Sequence, residues 1–346
     1  KQDTLFGKTI VSGSSNGRGG TISSSIHKGN SEGWRWNALG TFTYFGDREA
    51  PDYVLSNSGN RELNFSGDVS YVKENYELSA FYSLYNATIG ILSASHIGNV
   101  TDLYTSINNQ VPYRIDDFTY SIEQPRQAIQ HHLFKLNYLQ KLDESSSIST
   151  FYSLQFNNRN EFDIRRGGNV NKSALDLELT THSLQLVYKK EWERFSVKTG
   201  ISGHNLNRPN QGFYGVKVLR DIRISLYSQV DHAINKELAV IPGLGFNLQG
   251  KYRELIIGSQ VRYTLINKLG TYRAVDGGLW FRSRDAVVVR LGLAMQNWSV
   301  AASYDTNISK LIPASTARGG LELSVEYIIT RFKPKKVIHR ICPDYI

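Results

Sequence analysis

The segment from Trp298 to Phe332 alternates apolar and polar side chains with a period of two, and this pattern constrains the fold more than any other feature. Its first half and its second half, separated by a loop that ends at Gly320, carry these apolar residues: Trp298, Val300, Ala302 and Tyr304, then Leu321, Leu323, Val325, Tyr327 and Ile329. Such alternation predicts two strands with one apolar face each. Glu322 and Glu326 between leucine and valine residues are typical of a strand with lipid on one side and water on the other.

The same alternation recurs along the rest of the chain. Clear segments begin at Trp34, Phe65, Tyr76, Phe134, Ile148, Leu184, Phe195, Ile222, Leu244, Leu255, Gly277 and Val287, and two weaker ones flank a turn at Asn16-Gly17. The sequence therefore predicts an all-β, transmembrane antiparallel β-barrel of about 16 strands, with 14 as the alternative. Residues 1–332 would form the barrel and residues 333–346 a basic tail, because Pro334 cannot continue a strand ladder.

Long and short connections between these segments alternate. In chain order they cover residues 46–63, 73–75, 87–127, 143–146, 158–180 and 193–194. Bacterial outer-membrane barrels have long external loops and short periplasmic turns. We therefore expect the long connections outside and both chain termini in the periplasm. Aromatic residues at strand ends are predicted to form the two interfacial girdles: Tyr44, Tyr71, Tyr76, Trp192 and Trp298.

Composition narrows the alternatives. No window approaches eighteen consecutive apolar residues, which excludes a helical membrane span, and the single cysteine, Cys342, excludes an internal disulfide. The net charge of +9 favours anionic neighbours such as lipopolysaccharide. Nucleic acid is the competing partner class, but no basic helix or aromatic motif supports it. No signal peptide is visible at Lys1, so we expect a mature chain or a fragment. A soluble sandwich also alternates, yet sixteen strands would need a larger core than one domain usually has.

The C-terminal part carries several phrases in order, from about Leu206 to the end. They are residues 207–213 around Pro209, Asn210 and Gln211, residues 278–282, Ser303-Tyr304-Asp305, Pro313-Ala314-Ser315, and Arg318-Gly319-Gly320 with the strand that follows. In these phrases the chain resembles the PorP/SprF family of type IX secretion outer-membrane proteins. The resemblance implies a barrel that docks periplasmic and surface partners. Lys335, Lys336, His339 and Arg340 in the tail are then candidate partner-docking residues.

The N-terminal part, from about Thr4 to Gly203, carries a different set of phrases. They are Pro51-Asp52-Tyr53, residues 95–99 with Thr101-Asp102-Leu103, Gln130-His131-His132, and residues 158–168. Here the chain is similar to the barrel of TonB-dependent receptors of the Bacteroidota type. That resemblance implies an outer-membrane barrel for nutrient uptake. Such receptors carry a plug and 22 strands in the usual form, whereas this sequence shows no plug-like segment and fewer strands.

No residue set in the sequence predicts catalysis, a cofactor or a metal ion. His131 and His132 are neighbours on a strand and point to opposite faces. Asp116-Asp117 in the longest loop provides too few oxygen ligands for Ca²⁺. Glu322 and Glu326 lie too far apart to act as paired carboxylates, and we expect them to pair with interior arginines, Arg223, Arg262 or Arg290. Cys342 beside basic residues is interpreted as an inert thiol, with a lowered pKa or a modification as the alternative.

Three functions follow as hypotheses. We favour a non-enzymatic outer-membrane barrel associated with type IX protein secretion or surface attachment of cargo. The alternatives are a TonB-dependent receptor-like barrel that captures a nutrient through loops 87–127 and 158–180, and a passive porin with a polar lumen. In all three, Leu291 is predicted to face lipid and Gly292 the interior, and lipid and lipopolysaccharide are the surrounding partners.

Overall fold

The computed structural model describes residues 5–95, 100–164, 172–213 and 215–328. Its strands are β1 Phe6–Ser14, β2 Gly19–Gly29, β3 Trp34–Phe45, β4 Arg48–Glu49, β5 Val54–Leu55, β6 Asn60–Val72, β7 Tyr76–Gly90, β8 Arg126–Lys141, β9 Ser146–Phe162, β10 Leu175–Glu191, β11 Phe195–His204, β12 Arg223–Ala233, β13 Leu238–Gln249, β14 Tyr252–Lys268, β15 Thr271–Arg282, β16 Ala286–Met295, β17 Trp298–Asn307 and β18 Leu321–Tyr327. Two helices, α1 Val100–Asn108 and α2 Ile312–Ser315, and a 3-10 turn at Ser93–Ser95 lie in connections.

Sixteen of these strands form one sheet in which every strand pairs with the next along the chain, while β4 and β5 form a small separate hairpin. The prediction of about sixteen antiparallel strands is confirmed. The ladders run in simple antiparallel register, as between β15 and β16, where Arg273 pairs with Met295 and Arg282 with Ala286. No helix within the described part of the chain has the length and apolarity to cross a membrane.

Successive connections in such a meander alternate between the two ends of the strands. The connections at one end, which we call the turn end, have no more than four residues: 30–33, 73–75, 142–145, 192–194, 234–237, 269–270 and 296–297. All long connections lie at the other end, the loop end: 46–59, 91–125, 163–174, 205–222 and 308–320, together with the short 15–18, 250–251 and 283–285. The predicted alternation thus holds, except that two loop-end connections near the C-terminus are tight.

The strands are longer than the alternation predicts. Residues 60–63, 87–90, 158–162 and 175–180 were predicted as loop, yet they continue β6, β7, β9 and β10. The reason is that the outward positions of these strand ends are polar, as at Asn158 and Asn160, so the apolar periodicity stops before the ladder does. Helix α1 inside the longest loop was not predicted either.

Compared with a soluble protein, the positions of the apolar and polar side chains are reversed. Large apolar residues are exposed along one face of the strands; Leu279 is 58% exposed and Leu291 66% exposed. The largest fully buried side chains are instead those of Asp47 and Ser56. A soluble sandwich would bury its leucine and phenylalanine side chains, so this distribution favours strands whose outer face meets lipid.

The chain divides into two compact units. Unit 1 contains Lys1–Val187 and Ser202–Arg223, and unit 2 contains Tyr188–Ile201 and Ile224–Ile346. In unit 1, rings of the turn end contact one another in a row: Trp34 with Tyr71, Tyr71 with Tyr76, and Tyr76 with Tyr138. This row matches the predicted girdle at Tyr71 and Tyr76. A hydrogen bond with Tyr71 raises the pKa of Lys73 in the adjacent turn.

In unit 2, two inward arginines form ion pairs with carboxylates, and the ring of one inward tryptophan packs against the sheet. Arg262 donates to Asp231 at 2.8 Å, and Arg290 pairs with Asp276 on the neighbouring strand. The expectation that Arg262 and Arg290 pair with Glu322 and Glu326 is therefore wrong, because each has a nearer carboxylate. Trp280 covers two glycines of the neighbouring strands: a Cβ on Gly243 or Gly258 would come within 2.7 or 2.6 Å of the indole.

A charged side chain on the outward face of unit 2 should destabilise the protein in a bilayer. We expect Leu291→Arg to reduce folding into bilayers by roughly 2–4 kcal/mol, measured by urea titration of heat-modifiable gel mobility in lipid vesicles. Gly292 cannot serve as the interior control, because a side chain there would overlap the Asp276 carboxylate. Gln229 is exposed on the opposite face of β12, so Gln229→Arg is the matched control and should fold as the parent does. Equal losses in both variants would contradict the lipid-facing assignment.

Candidate functional site

The first candidate site is the loop 205–222 of unit 1, which contains the predicted residues Pro209, Asn210 and Gln211. The Asn210 Oδ1 atom accepts hydrogen bonds from the backbone N–H of Val218 at 2.8 Å and of Gly212 at 3.2 Å. The loop's two arms are joined by Gln211 N to Val218 O at 2.8 Å and by Arg220 N to Pro209 O at 2.9 Å. Asn210 thus uses its side chain to hold the loop closed.

The base of this loop is attached to the end of β10. The Asn207 side chain donates to Thr180 O at 2.7 Å and accepts from His182 N at 3.3 Å. Leu206 N donates to His182 O at 3.1 Å. The loop is therefore fixed to the sheet at its base and closed upon itself above it, which gives it a defined surface.

The second candidate site lies in unit 2, where β17 meets the loop 308–320. The Asp305 carboxylate accepts a short hydrogen bond from Gly320 N, and Asp305 N donates to Gly320 O at 3.2 Å. The Tyr304 hydroxyl accepts from Gly319 N at 3.3 Å. A second oxygen of Asp305 lies 3.8 Å from the Arg282 guanidinium. Four predicted residues, Tyr304, Asp305, Gly319 and Gly320, are thus brought together.

The rest of this loop is built from local backbone contacts. Pro313 lies in the first turn of α2, and Arg318 N donates to Ser315 O at 2.9 Å. Thr316 and Ala317 have left-handed backbone angles, with φ of 50° and 60°. These contacts assign neither a catalytic nor a ligand-binding role to Pro313 or Arg318. Lys335, Lys336, His339, Arg340 and Cys342 lie outside the described residues.

A third site in unit 1, which the sequence did not predict, joins the loops 46–59 and 91–125. Asp47 is buried and accepts from Ser58 N at 2.9 Å and from Thr119 N at 3.3 Å. Ser56 accepts from Asp116 N at 2.7 Å. Asn57, in a left-handed conformation, donates to Pro125 O at 2.7 Å and accepts from Glu123 N at 2.7 Å. We call Asp47, Ser56 and Asn57 the loop hub.

Aromatic and cationic contacts join a third loop-end segment, residues 15–18, to the loop hub. Arg18, in the connection 15–18, forms an ion pair with Glu49 at 2.6 Å and lies 4.0 Å from the centre of the Phe118 ring. The Tyr120 hydroxyl donates to Arg18 O at 2.6 Å, and its ring stacks on Tyr44 at 5.2 Å. Three loop-end connections of unit 1 are therefore held together as one ordered cap.

The residues considered for metal or acid–base chemistry have other partners. His131 contacts the Asn157 amide at 3.2 Å, and the His132 Nδ1 atom and the Tyr82 hydroxyl share a hydrogen bond at 2.8 Å on the opposite face. Asp116 pairs with Arg114 at 2.9 Å. The Ser299 hydroxyl donates to Glu326 at 3.1 Å. Within the described ranges, no three histidine, cysteine or carboxylate side chains are grouped so that they could hold a metal ion.

Comparison with known families and structures gives the following matches. A family described as "Type IX secretion system membrane protein PorP/SprF" matches residues 149–327, just over half of the 346 residues. This match begins well before Leu206, where the resemblance in the sequence begins, so it includes β9 to β11 as well. No curated protein matches the chain.

Three solved structures share the fold at low sequence identity. They are the ferric-catecholate import receptor Fiu of E. coli K12 (TM-score 0.60, 9% identity, 96% of this chain and 64% of Fiu), a variant of the ferric enterobactin receptor PfeA of Pseudomonas aeruginosa (0.52, 9%, 88% and 52%), and the siderophore receptor PirA of Acinetobacter baumannii (0.53, 10%, 93% and 56%). The chain spans less than two thirds of the length of each. The fold is an outer-membrane β-barrel, as both resemblances imply, and these receptor structures share it.

Gly319 and Gly320 offer a matched pair of variants. A Cβ on Gly319 would overlap the backbone oxygen of Asp305, whereas the nearest atom to a Cβ on Gly320 is 3.6 Å away. We expect Gly319→Ala to lower the free energy of unfolding by roughly 1–3 kcal/mol, as overpacking does, and to open the loop 308–320 to protease. Gly320→Ala should leave both the stability and the cleavage rate unchanged. Equal protease sensitivity of the two variants would contradict the proposed packing.

Proposed function

Because this chain belongs to the PorP/SprF family of type IX secretion system membrane proteins, we propose that it is a non-enzymatic docking barrel for protein secretion or for surface attachment of cargo. The observation that carries the proposal is the family match, which covers β9 to β18. It includes the loops 205–222 and 308–320, which we call the signature loops, and their residues Asn210, Tyr304 and Asp305 the signature residues. The likeness to siderophore receptors concerns the fold alone and does not favour uptake over docking.

The role of the signature residues supports docking rather than catalysis. Asn210 and Asp305 both use side-chain oxygens to accept backbone N–H groups, and Tyr304 does the same with its hydroxyl. Such contacts fix the shape of a loop. What these residues provide is a loop surface of defined shape, and a surface of defined shape is what a protein partner binds at low entropic cost.

We assign the loop end to the cell exterior and the turn end, with both termini, to the periplasm. The support is the length asymmetry: every connection at the turn end has at most four residues, as in bacterial outer-membrane barrels. In this orientation the loop hub and both signature loops face exported proteins. The basic tail 333–346, with Lys335, Lys336, His339 and Arg340, then meets periplasmic components of the secretion machinery.

The orientation can be tested by cysteine labelling of whole cells. In a Cys342→Ser background, Asp52→Cys at the loop end should react with a membrane-impermeant maleimide, because residue 52 is exposed outside. Glu193→Cys in the turn 192–194 should react only after the outer membrane is permeabilised. Labelling of residue 193 in intact cells, with residue 52 protected, would invert the orientation.

The docking function can be tested in a strain that lacks the gene. Surface display of type IX cargo should be lost in this strain and restored by the full chain, while cargo accumulates in the periplasm without it. A chain lacking Lys335–Ile346 should keep its heat-modifiable gel mobility but fail to restore display, because the periplasmic contact is gone. Normal cargo display in the deletion strain would overturn the proposal. A tail-less chain that restores display would restrict docking to the loops.

A further inference from the structure

The outward face of unit 1 changes from mainly apolar to mainly polar over β6, β7 and β8, two to three rows before the strands end. The ladder pairs Phe65 with Leu84 and Leu84 with His132, and this is the last row with apolar side chains on β6 and β7 together. Two rows further toward the loop end, Arg61 pairs with Thr88. A mainly polar band therefore lies next to the lipid-facing band on the same outer surface, with Leu63 of β6 as an exposed apolar side chain in its first row.

Two arginines stand in this polar band, each placed on an aromatic ring. The Arg61 guanidinium lies 5.1 Å from the centre of the Tyr44 ring, and the Arg126 guanidinium lies 4.7 Å from that of Phe162. Neither guanidinium has a carboxylate within ion-pair distance among the residues that the structure describes. The Arg126 Nη1 atom donates to Ile122 O at 3.4 Å. Stacking fixes the plane of each guanidinium and leaves the other N–H groups at its edge able to donate.

Arg61 and Arg126 are close enough together to contact the same lipid headgroup. β6 and β8 flank β7, so about 10 Å separates them, and the offset of Arg126 by two residues beyond the row of Arg61 adds about 7 Å along the strand. Their Cα atoms are thus roughly 12 Å apart. Thr88 on β7 and Ala128 on β8 lie between them, and Asn86 and Gln130 lie one row toward the turn end, where their amide groups provide neutral donors and acceptors.

We propose that Arg61 and Arg126 bind the phosphorylated headgroup of an outer-leaflet glycolipid, lipopolysaccharide, whose acyl chains lie along the apolar face below. Guanidinium groups bind phosphate in bidentate fashion, so the charges are complementary. The amide and hydroxyl groups beside the arginines suit the sugar, and Phe65, Leu84 and Phe134 provide the apolar surface for the acyl chains. On β10 the exposed residues Asp176 and Glu178 are acidic, so the anion site ends before that strand.

The site rests on the proposed orientation, which places the loop end in the outer leaflet. A binding experiment with purified protein does not depend on that orientation or on secretion, so failure of either proposal would be seen separately. The probe is a defined short-chain lipopolysaccharide, added to the detergent-solubilised chain and detected as a bound species by native mass spectrometry. A dephosphorylated form of the same glycolipid and phosphatidylglycerol serve as competing ligands.

Arg61→Gln with Arg126→Gln should weaken lipopolysaccharide binding at least tenfold, about 1.4 kcal/mol or more, and abolish the preference for the phosphorylated form. Arg273→Gln is the matched control: Arg273 is outward and exposed, but at the turn end in unit 2, and its loss should change binding less than twofold. If the double glutamine variant misfolds, Arg61→Lys with Arg126→Lys keeps both charges and should weaken binding through the lost bidentate geometry.

Three results would overturn the proposal. They are unchanged affinity in the double variants, an equal loss in Arg273→Gln, and phosphatidylglycerol binding as tightly as lipopolysaccharide through the same two arginines.

Discussion

Backbone hydrogen bonding decides the architecture, because a chain in a bilayer finds no water to satisfy an open N–H or C=O group. Sixteen strands that pair in sequence satisfy these groups through their ladders. Once the ladders exist, the two faces are free to differ. Leucine and valine side chains cover the outer face, and the inner face takes polar groups that would be costly in lipid. The alternation in the sequence is thus a consequence of the ladder and the two solvents.

Two interior arginines of unit 2 show how the inner face can carry charge in neutral pairs. Arg262 and Arg290 each pair with an aspartate from another strand, so that the interior gains order without net charge. Trp280 packs differently: its indole fills the space that Gly243 on β13 and Gly258 on β14 leave open. Flat rings over glycines and cross-strand ion pairs both fix the register of the strands, because a slip by one residue would move every partner to the other face.

Much of the fold could be predicted from the sequence, since period-two alternation is repeated in nearly every strand. The strand ends could not, because residues such as Asn158 remain in a ladder after the lipid-facing pattern has ended. The signature residues Asn210 and Asp305 were found by resemblance, but their roles as acceptors of backbone N–H groups depend on loop geometry. Asp47 gave no signal at all: it is one acidic residue in a polar stretch, and burial by a segment 72 residues away has no local trace.

The contacts of the loop hub also depend on how far the strands of the barrel have assembled. Its hydrogen bonds join Ser56 to Asp116 and Asn57 to Pro125, pairs that are 60 and 68 residues apart along the chain. Closing such long segments is entropically costly while the strands between them are unpaired, so we expect the cap to form only after β6 and β7 are in place. In the orientation proposed above, a partly inserted barrel would therefore display open, unjoined loops on the cell surface, and a finished one a closed cap. Any partner that requires the closed cap would distinguish the two from outside the cell.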